Sequence, residues 1–259
     1  MKIMETTTGK DEVSALARGL ALVRAVADAG GPLGNRELVE ATGIPKATIS
    51  RLAATLVGAG YLRQADGSER YSLGPALLQL GNDYLRGFDF RNVARLHLAE
   101  LAELAGANVH LAVRDGLDVL LIDTLRPRSA LILSRMDVGS RMSIATSAAG
   151  RAYLASLPHD EQDALLRDLK AAGKGWKAMR ARLDEAMAEY AKLGYCTSFG
   201  EWHPDIHALG FSLKGPRGEL YAVSVGGPAY MLPPQMLLEK VGPKVQETKR
   251  AIAKEMGAA

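Results

Sequence analysis

Apolar residues recur at helical spacing along the first third of the chain, and glycine and proline interrupt them. From Ser14 to Ala29, Leu16, Leu20, Val23 and Ala27 line one face, with Leu22 and Val26 beside it, and Gly30-Gly31-Pro32 stops the run. Asn35 to Thr42 has a polar start followed by Leu38, Val39 and Ala41, enough for two helical turns. Gly43 tolerates the positive φ of a helix end, and Pro45 suits the first turn of another helix. That next helix carries Ile49, Leu52, Ala53 and Leu56 on one face and ends at Gly58 and Gly60. Tyr61–Gln64 and Arg70–Leu73 then flank a segment containing Asp66-Gly67, a hairpin signal. Two short helices around a glycine turn, followed by a two-stranded wing, predict a helix-turn-helix packed on a first helix. Residues up to about Glu12 are polar and weakly patterned and are expected to be disordered.

Gly74-Pro75 marks the exit from the wing. A helix with Leu77, Leu78, Leu80 and Leu85 follows, weakens at Gly87-Phe88, and is succeeded by a helical run through Val93, Leu96, Leu101 and Leu104. The pattern then turns to strands. Val109–Val113 and Val119–Asp123 around Asp115-Gly116 predict a hairpin, and Ala130–Leu133 another strand. Thr146–Leu157 predicts a helix whose small first-turn residues leave backbone N–H groups open to a carboxylate. Amphipathic helices over 160–169 and 176–193 come next. Strands over 195–198, 206–213 and 220–225 follow, then a last helix over 234–256. Helices around a mostly antiparallel sheet predict an α+β unit.

Charge sharpens the first part. Between Ala41 and Ala65 the only charged residues are Lys46, Arg51 and Arg63, all basic, as a phosphate-facing surface requires. Candidate DNA contacts are Asn35, Arg36, Lys46, Thr48, Ser50 and Arg51, with Ala47 suited to a thymine methyl and Arg63 and Arg70 on the wing. Acidic and basic residues balance over 1–85, so the positive potential is local and more than one module per site is expected. The 259 residues allow one large or two ordinary domains, and 47% hydrophobic content is enough for a real core. One cysteine, Cys196, excludes an internal disulfide framework and fits a reducing cytoplasm. No run reaches the length of a membrane span.

Six strings in order resemble the IclR family of bacterial transcriptional regulators. They are ARGLALVRAVADAGGPL (17–33), TGIPKATISRLAATLVGAGYL (42–62), YSLGPALLQLG (71–81), GSRMSIATSAAGRAYLASLP (139–158), LGYCTSFGEWHPDIHALGFSL (193–213) and AVSVGGPAYMLPP (222–234). The likeness covers about 13–256. It implies a multidomain α and α+β chain: a winged helix-turn-helix over 13–74, a linker helix over 75–90, and a GAF/PAS-like antiparallel-sheet effector domain over 91–259. It further implies a homodimer or dimer of dimers on palindromic double-stranded operator DNA. A small organic acid from catabolism would be the effector, with no cofactor and no catalysis. By motif position the effector pocket would be lined by Leu131, Ser134, Met142, Ala148, Ala149 and Ser198, together with Ile206, Ala208, Ser224 and Gly226. Departures from the family pattern are Ala47 where serine is common, Leu209-Gly210-Phe211-Ser212 for the usual apolar strand, and Gly226 for a serine. Loss of that hydroxyl makes room, and a bulkier ligand, such as an aromatic acid, is expected.

Other chemistries compete on the same residues. Glu201 and His203 are further candidates for effector contacts. His203, Asp205 and His207 alternate as metal ligands on a strand can, but Pro204 interrupts them, and no metal is expected. A small-molecule hydrolase or a metal-binding protein with a vestigial helix-turn-helix is the alternative from another class. No Gly-x-Ser-x-Gly elbow supports it, and Cys196 has no assigned base. His110 sits in a buried strand and reads more readily as a hydrogen-bonded core histidine than as a ligand contact. One of Arg126, Arg128, Arg135 and Arg141 is a candidate partner for an anion.

Overall fold

The structure is a computed structural model that describes residues 13–64, 68–128, 136–173 and 175–256. The N-terminal residues expected to be disordered, the wing tip Ala65–Gly67 and the strand expected at Ala130–Leu133 lie outside the described residues, as do Leu131, Ser134 and Arg135. The chain divides into two compact units, one ending at Gly87 and one beginning at Phe88.

The first unit holds α1 (Ser14–Ala29), a two-residue strand β1 (Leu33–Gly34), α2 (Asn35–Thr42), α3 (Lys46–Gly58), β2 (Leu62–Gln64), β3 (Arg70–Leu73) and α4 (Ala76–Arg86). Gly43 closes α2 at φ 69°, its N–H donating to the Val39 carbonyl, and this tight exit turns the chain into α3. Leu22, Val26, Leu38, Ile44, Ile49, Leu62 and Tyr71 form one core. Burying a leucine or isoleucine side chain is worth about 1.5–3 kcal/mol, so these few residues carry much of the unit's stability. The antiparallel order is β1-β3-β2, and β1, too short for any periodic signal, stitches the wing to the residues before α2. The α1 face differs from expectation. Leu22, Ala25 and Val26 are buried, while Leu16 and Leu20 are more than 60% exposed. The helix has two apolar stripes, and its partners α2 and α3 take the one bearing Leu22 and Val26.

The second unit holds α5 (Asp89–Ala105), β4 (Asn108–Asp115), β5 (Asp118–Leu125), β6 (Arg141–Ser143), α6 (Ala148–Ala155), α7 (His159–Ala172), α8 (Trp176–Leu193), β7 (Cys196–Phe199), β8 (Ile206–Lys214), β9 (Leu220–Pro228), a turn of helix α9 (Pro234–Met236), a π-helical segment Leu237–Val241, and α10 (Gly242–Glu255). Its six strands are antiparallel in the order β6-β5-β4-β9-β8-β7. Helices cover both faces, so β8 and β9 are buried almost throughout instead of alternating. On one face Tyr221 stacks on Phe90 of α5 at 4.4 Å between ring centroids. On the other, Ala112, Ala222, Ala149, Tyr153 and Leu154 meet Leu165 and Leu169 of α7 and Leu183 of α8. The π segment has a local cause. Pro243 cannot donate a backbone hydrogen bond, and its ring crowds the carbonyl four residues back, so the preceding turn widens.

Two glycines let α6 lie against the sheet. A Cβ on Gly210 of β8 would stand 2.2 Å from the Ala148 carbonyl carbon, and one on Gly150 would stand 2.3 Å from the Ile144 Cα. With hydrogen at both positions, the first turn of α6 sits directly over β8.

Candidate functional site

In the first unit α3 presents Lys46, Ala47 and Arg51 to solvent, with Thr48 and Ser50 half-buried. No ion pair among the described residues engages Lys46, Arg51 or Arg63. The Ser50 hydroxyl donates to the Lys46 carbonyl at 3.2 Å, which keeps it on the helix. Arg70 is held differently. Its Nη2 donates to the Pro32 carbonyl at 2.7 Å and to Glu37 Oε1 at 2.9 Å, while the Gly34 N–H donates to Glu37 Oε2 at 2.7 Å. The Gly34 N–H first, and Arg70 second, hold the Glu37 carboxyl below its ordinary pKa. Arg70 therefore fastens the wing to the start of α2. Arg36 pairs with Glu40, and the half-buried Asn35 keeps an unbonded Oδ1 inside the unit.

In the second unit a cavity of about 30 Å³ lies between the sheet and the start of α6. Of the candidates, Met142, Ala148, Ser198, Ile206, Ala208, Ser224 and Gly226 line it, joined by His110, Met136, Ser147, Trp202 and Gly227. Ser147 caps α6, its hydroxyl accepting from the Gly150 N–H at 3.0 Å and donating to the Ser143 carbonyl at 2.6 Å. Among the described residues, nothing accepts from the Ala148 and Ala149 N–H groups, and nothing bonds the Ser224 hydroxyl. The Ser198 hydroxyl donates to the Thr146 carbonyl at 2.9 Å. His110 is 6% exposed; its Nδ1 lies 3.2 Å from Thr124 Oγ1, and burial first, with Arg126 second, holds its pKa down at about 4. It is both a bonded core histidine and part of the cavity wall.

Gly226 does not leave the room expected of it. A Cβ there would come within 2.9 Å of the Ala208 Cβ, so the missing side chain lets β8 and β9 lie close. Ala149 is buried behind Ala148 in the core.

Glu201 and His203 do not line this cavity. Glu201 Oε2 accepts from Arg151 Nη2 at 2.5 Å, and Glu201 Oε1 lies 2.8 Å from Arg182 Nη2. Burial pushes the Glu201 carboxyl up, and the hydrogen bonds from Arg151 and Arg182 outweigh it, leaving it below its ordinary value. Arg151, only 4% exposed, also donates to the carbonyls of Ala145 and Thr197. These residues border a second, polar cavity of about 240 Å³. Arg151 was not among the sequence candidates; its partners lie up to 50 residues away. His203 Nδ1 accepts from the Asp205 N–H at 3.3 Å, and His207 Nδ1 lies 2.9 Å from the Leu232 carbonyl oxygen. Among the described residues, no three His, Cys, Asp or Glu side chains stand close enough to share a metal ion. Cys196 is buried, its thiol donating to the Ala186 carbonyl at 3.2 Å, and burial pushes its pKa up, away from the reactive thiolate. Of the arginines near the sheet, Arg126 pairs with Asp137, Arg128 lies by Glu103, and Arg141 pairs with Asp115.

A winged helix-turn-helix with an open basic helix, joined to a second unit in which helices cover a sheet and enclose a cavity, is the architecture of a DNA-binding regulator. The profile of the IclR helix-turn-helix domain matches residues 15–66, and that of the bacterial transcriptional regulator IclR C-terminal matches residues 82–254. The chain belongs to the IclR family of DNA-binding transcriptional regulators. It is 32% identical to the HTH-type transcriptional regulator TsaQ1/TsaQ2 of Comamonas testosteroni, over 100% of this chain and 93% of that one. The structure of an IclR family transcriptional regulator from Brucella abortus superposes with TM-score 0.80 at 34% identity, covering 98% of this chain and 96% of that one. An IclR homolog from Microbacterium hydrocarbonoxydans, complexed with 4-hydroxybenzoate, shares the fold at TM-score 0.75 and 20% identity, over 95% and 100% of the two chains. The named relatives are regulators, not enzymes. No helix among the described residues is long and apolar enough to cross a membrane.

Proposed function

We propose that the protein holds a palindromic operator as a homodimer in the cytoplasm, and that a small organic acid in the cavity beside α6 controls its hold on a catabolic promoter. The observation that carries the acid is a convergence of open donors on one cavity. The Ala148 N–H at the positive end of α6 and the Ser224 hydroxyl border it, beside His110 and among apolar walls. Met136, Met142 and Trp202 form much of that wall. An aromatic acid is the first class to test, because a relative of the same fold holds 4-hydroxybenzoate. At about 30 Å³ the cavity admits a ring only if those side chains yield, as unbranched methionines do. On the DNA side, Lys46 and Arg51 supply phosphate contacts and Ala47 a methyl contact, with Arg63 on the wing.

The exposed stripe of Val13, Leu16 and Leu20 on α1 suits a second copy of the chain. L16E with L20E should then shift the protein toward monomer in sedimentation and weaken operator binding. The effector would act by favouring one arrangement of the dimer, and thereby one spacing of the reading helices. The test is a gel shift on the upstream intergenic DNA, run with and without benzoate, 4-hydroxybenzoate and pyruvate, beside a thermal-shift panel of the same acids. Acid-dependent change in operator affinity, with stabilisation by the same acid, is expected. No response to any carboxylate would reject the acid.

A further inference from the structure

Resting on the acid reading above, we infer that His110 takes up a proton when a carboxylate enters the cavity, so that the site selects the anion and binds it less tightly as pH rises. The geometry provides for both states of the ring. Nδ1 faces Thr124 Oγ1 at 3.2 Å, and a hydroxyl either donates to a bare nitrogen or accepts from a protonated one. No hydrogen bond among the described residues engages Nε2, although the ring lines the cavity. Ser224, its register partner on β9, brings an uncharged hydroxyl to the same wall.

Among the described residues, the charged groups around the ring are few. From the end of β5 comes Arg126, and from the segment before β6 comes Asp137; these two pair at 3.2 Å and act on His110 in opposite senses. The one charged residue of α6, Arg151, is committed to Ala145, Thr197 and Glu201. No charged side chain lies along β9. His207 on β8 turns to the Leu232 carbonyl. Burial therefore decides, and without a ligand the ring stays neutral at physiological pH, with a pKa of about 4. A carboxylate at Nε2 would add a negative charge beside the ring, between apolar walls, and favour the imidazolium. One proton passes from solvent to the ring; Nδ1 then donates to Thr124 and Nε2 to the ligand, and no ligand bond changes.

Isothermal titration calorimetry on the full-length protein tests this. Whichever panel acid binds, 4-hydroxybenzoate first, is titrated at about pH 6 in two buffers of different ionisation heat. Uptake approaching one proton per ligand is expected. Affinity should fall up to tenfold per unit of rising pH, until the ligand-bound ring itself loses its proton. H110Q should keep a donor in place yet lose both the uptake and the slope. An acid that binds with the same heat in both buffers, or H110Q that retains the uptake, overturns the inference and leaves the acid reading standing. If none of the carboxylates binds, that reading fails and this one with it.

Discussion

Gly210→Ala is a change that local propensity would favour. Gly210 lies inside β8 and outside the left-handed region, so alanine meets no backbone strain there. Replacing a strand glycine should on that ground gain about 0.5–1 kcal/mol. The packing predicts the opposite sign. The new Cβ would lie 2.2 Å from the Ala148 carbonyl carbon, 2.3 Å from its oxygen and 2.4 Å from the Ala149 nitrogen, where ordinary contact begins at 3.4 Å. These are backbone atoms of the first turn of α6, with no flexible side-chain end to swing aside. Helix and strand must part by about 1 Å, and overpacking of this kind costs about 1–3 kcal/mol. For a unit of this size that is a fall in Tm of about 3–10 °C. The same displacement moves the open N–H groups of Ala148 and Ala149. Thermal unfolding of wild type and G210A, with and without a binding acid, gives both readouts. The expected result is a lower melting temperature and a lost or reduced ligand shift. If G210A melts at or above wild type with the ligand shift intact, α6 does not lean on β8 as described.

Three further outcomes are expected. K46E with R51E should leave melting unchanged, abolish the gel shift at physiological salt, and reduce the salt slope of residual binding by about two per subunit, about four for a dimer on its palindrome. Because the folded pKa of His110, about 4, lies below the 6.5 of an unfolded chain, its contribution to stability is full above about pH 6.5 and is lost as pH falls through 4. Urea titrations across that range should show a loss of up to about 3 kcal/mol that H110Q lacks; equal slopes for both proteins would count against a buried neutral ring. E201Q leaves Arg151 buried beside an uncharged partner and should destabilise the second unit by about 1–3 kcal/mol, discounted for the partial exposure of Glu201, as denaturant unfolding would show. Unchanged stability would mean that the Ala145 and Thr197 carbonyls suffice to hold the guanidinium.

What the sequence revealed, and what it hid, follows from how local each signal is. The helices of the first unit and the glycine turn between α2 and α3 announce themselves within a few residues, through period and punctuation. The buried face of α1 was not legible, because two apolar stripes satisfy the same period and only the shape of the partner selects between them. β1 and β6 are too short to carry a pattern. Arg151 sits in a run of alanine and glycine that looks like plain helix, and its meaning appears only when β7 and the loop bearing Glu201 fold over it. The cavity wall followed largely from motif position, yet Met136, Ser147 and Trp202 join it through loop and cap geometry that spacing does not encode. Gly226 misled for a related reason: a missing side chain reads as free space, whereas the neighbouring strand had moved into it.

The widened turn at Leu237–Val241 has a consequence for the last helix. A π turn carries one residue more than an α turn, so everything after it is rotated by about 100° relative to an uninterrupted helix. In that phase Val245 and Ile252 are buried and α10 packs on α5. Deleting one residue from the segment would restore a regular spiral and swing those two side chains off α5 toward water. A single codon there thus acts as a phase adjuster for the helix pair backing the sheet.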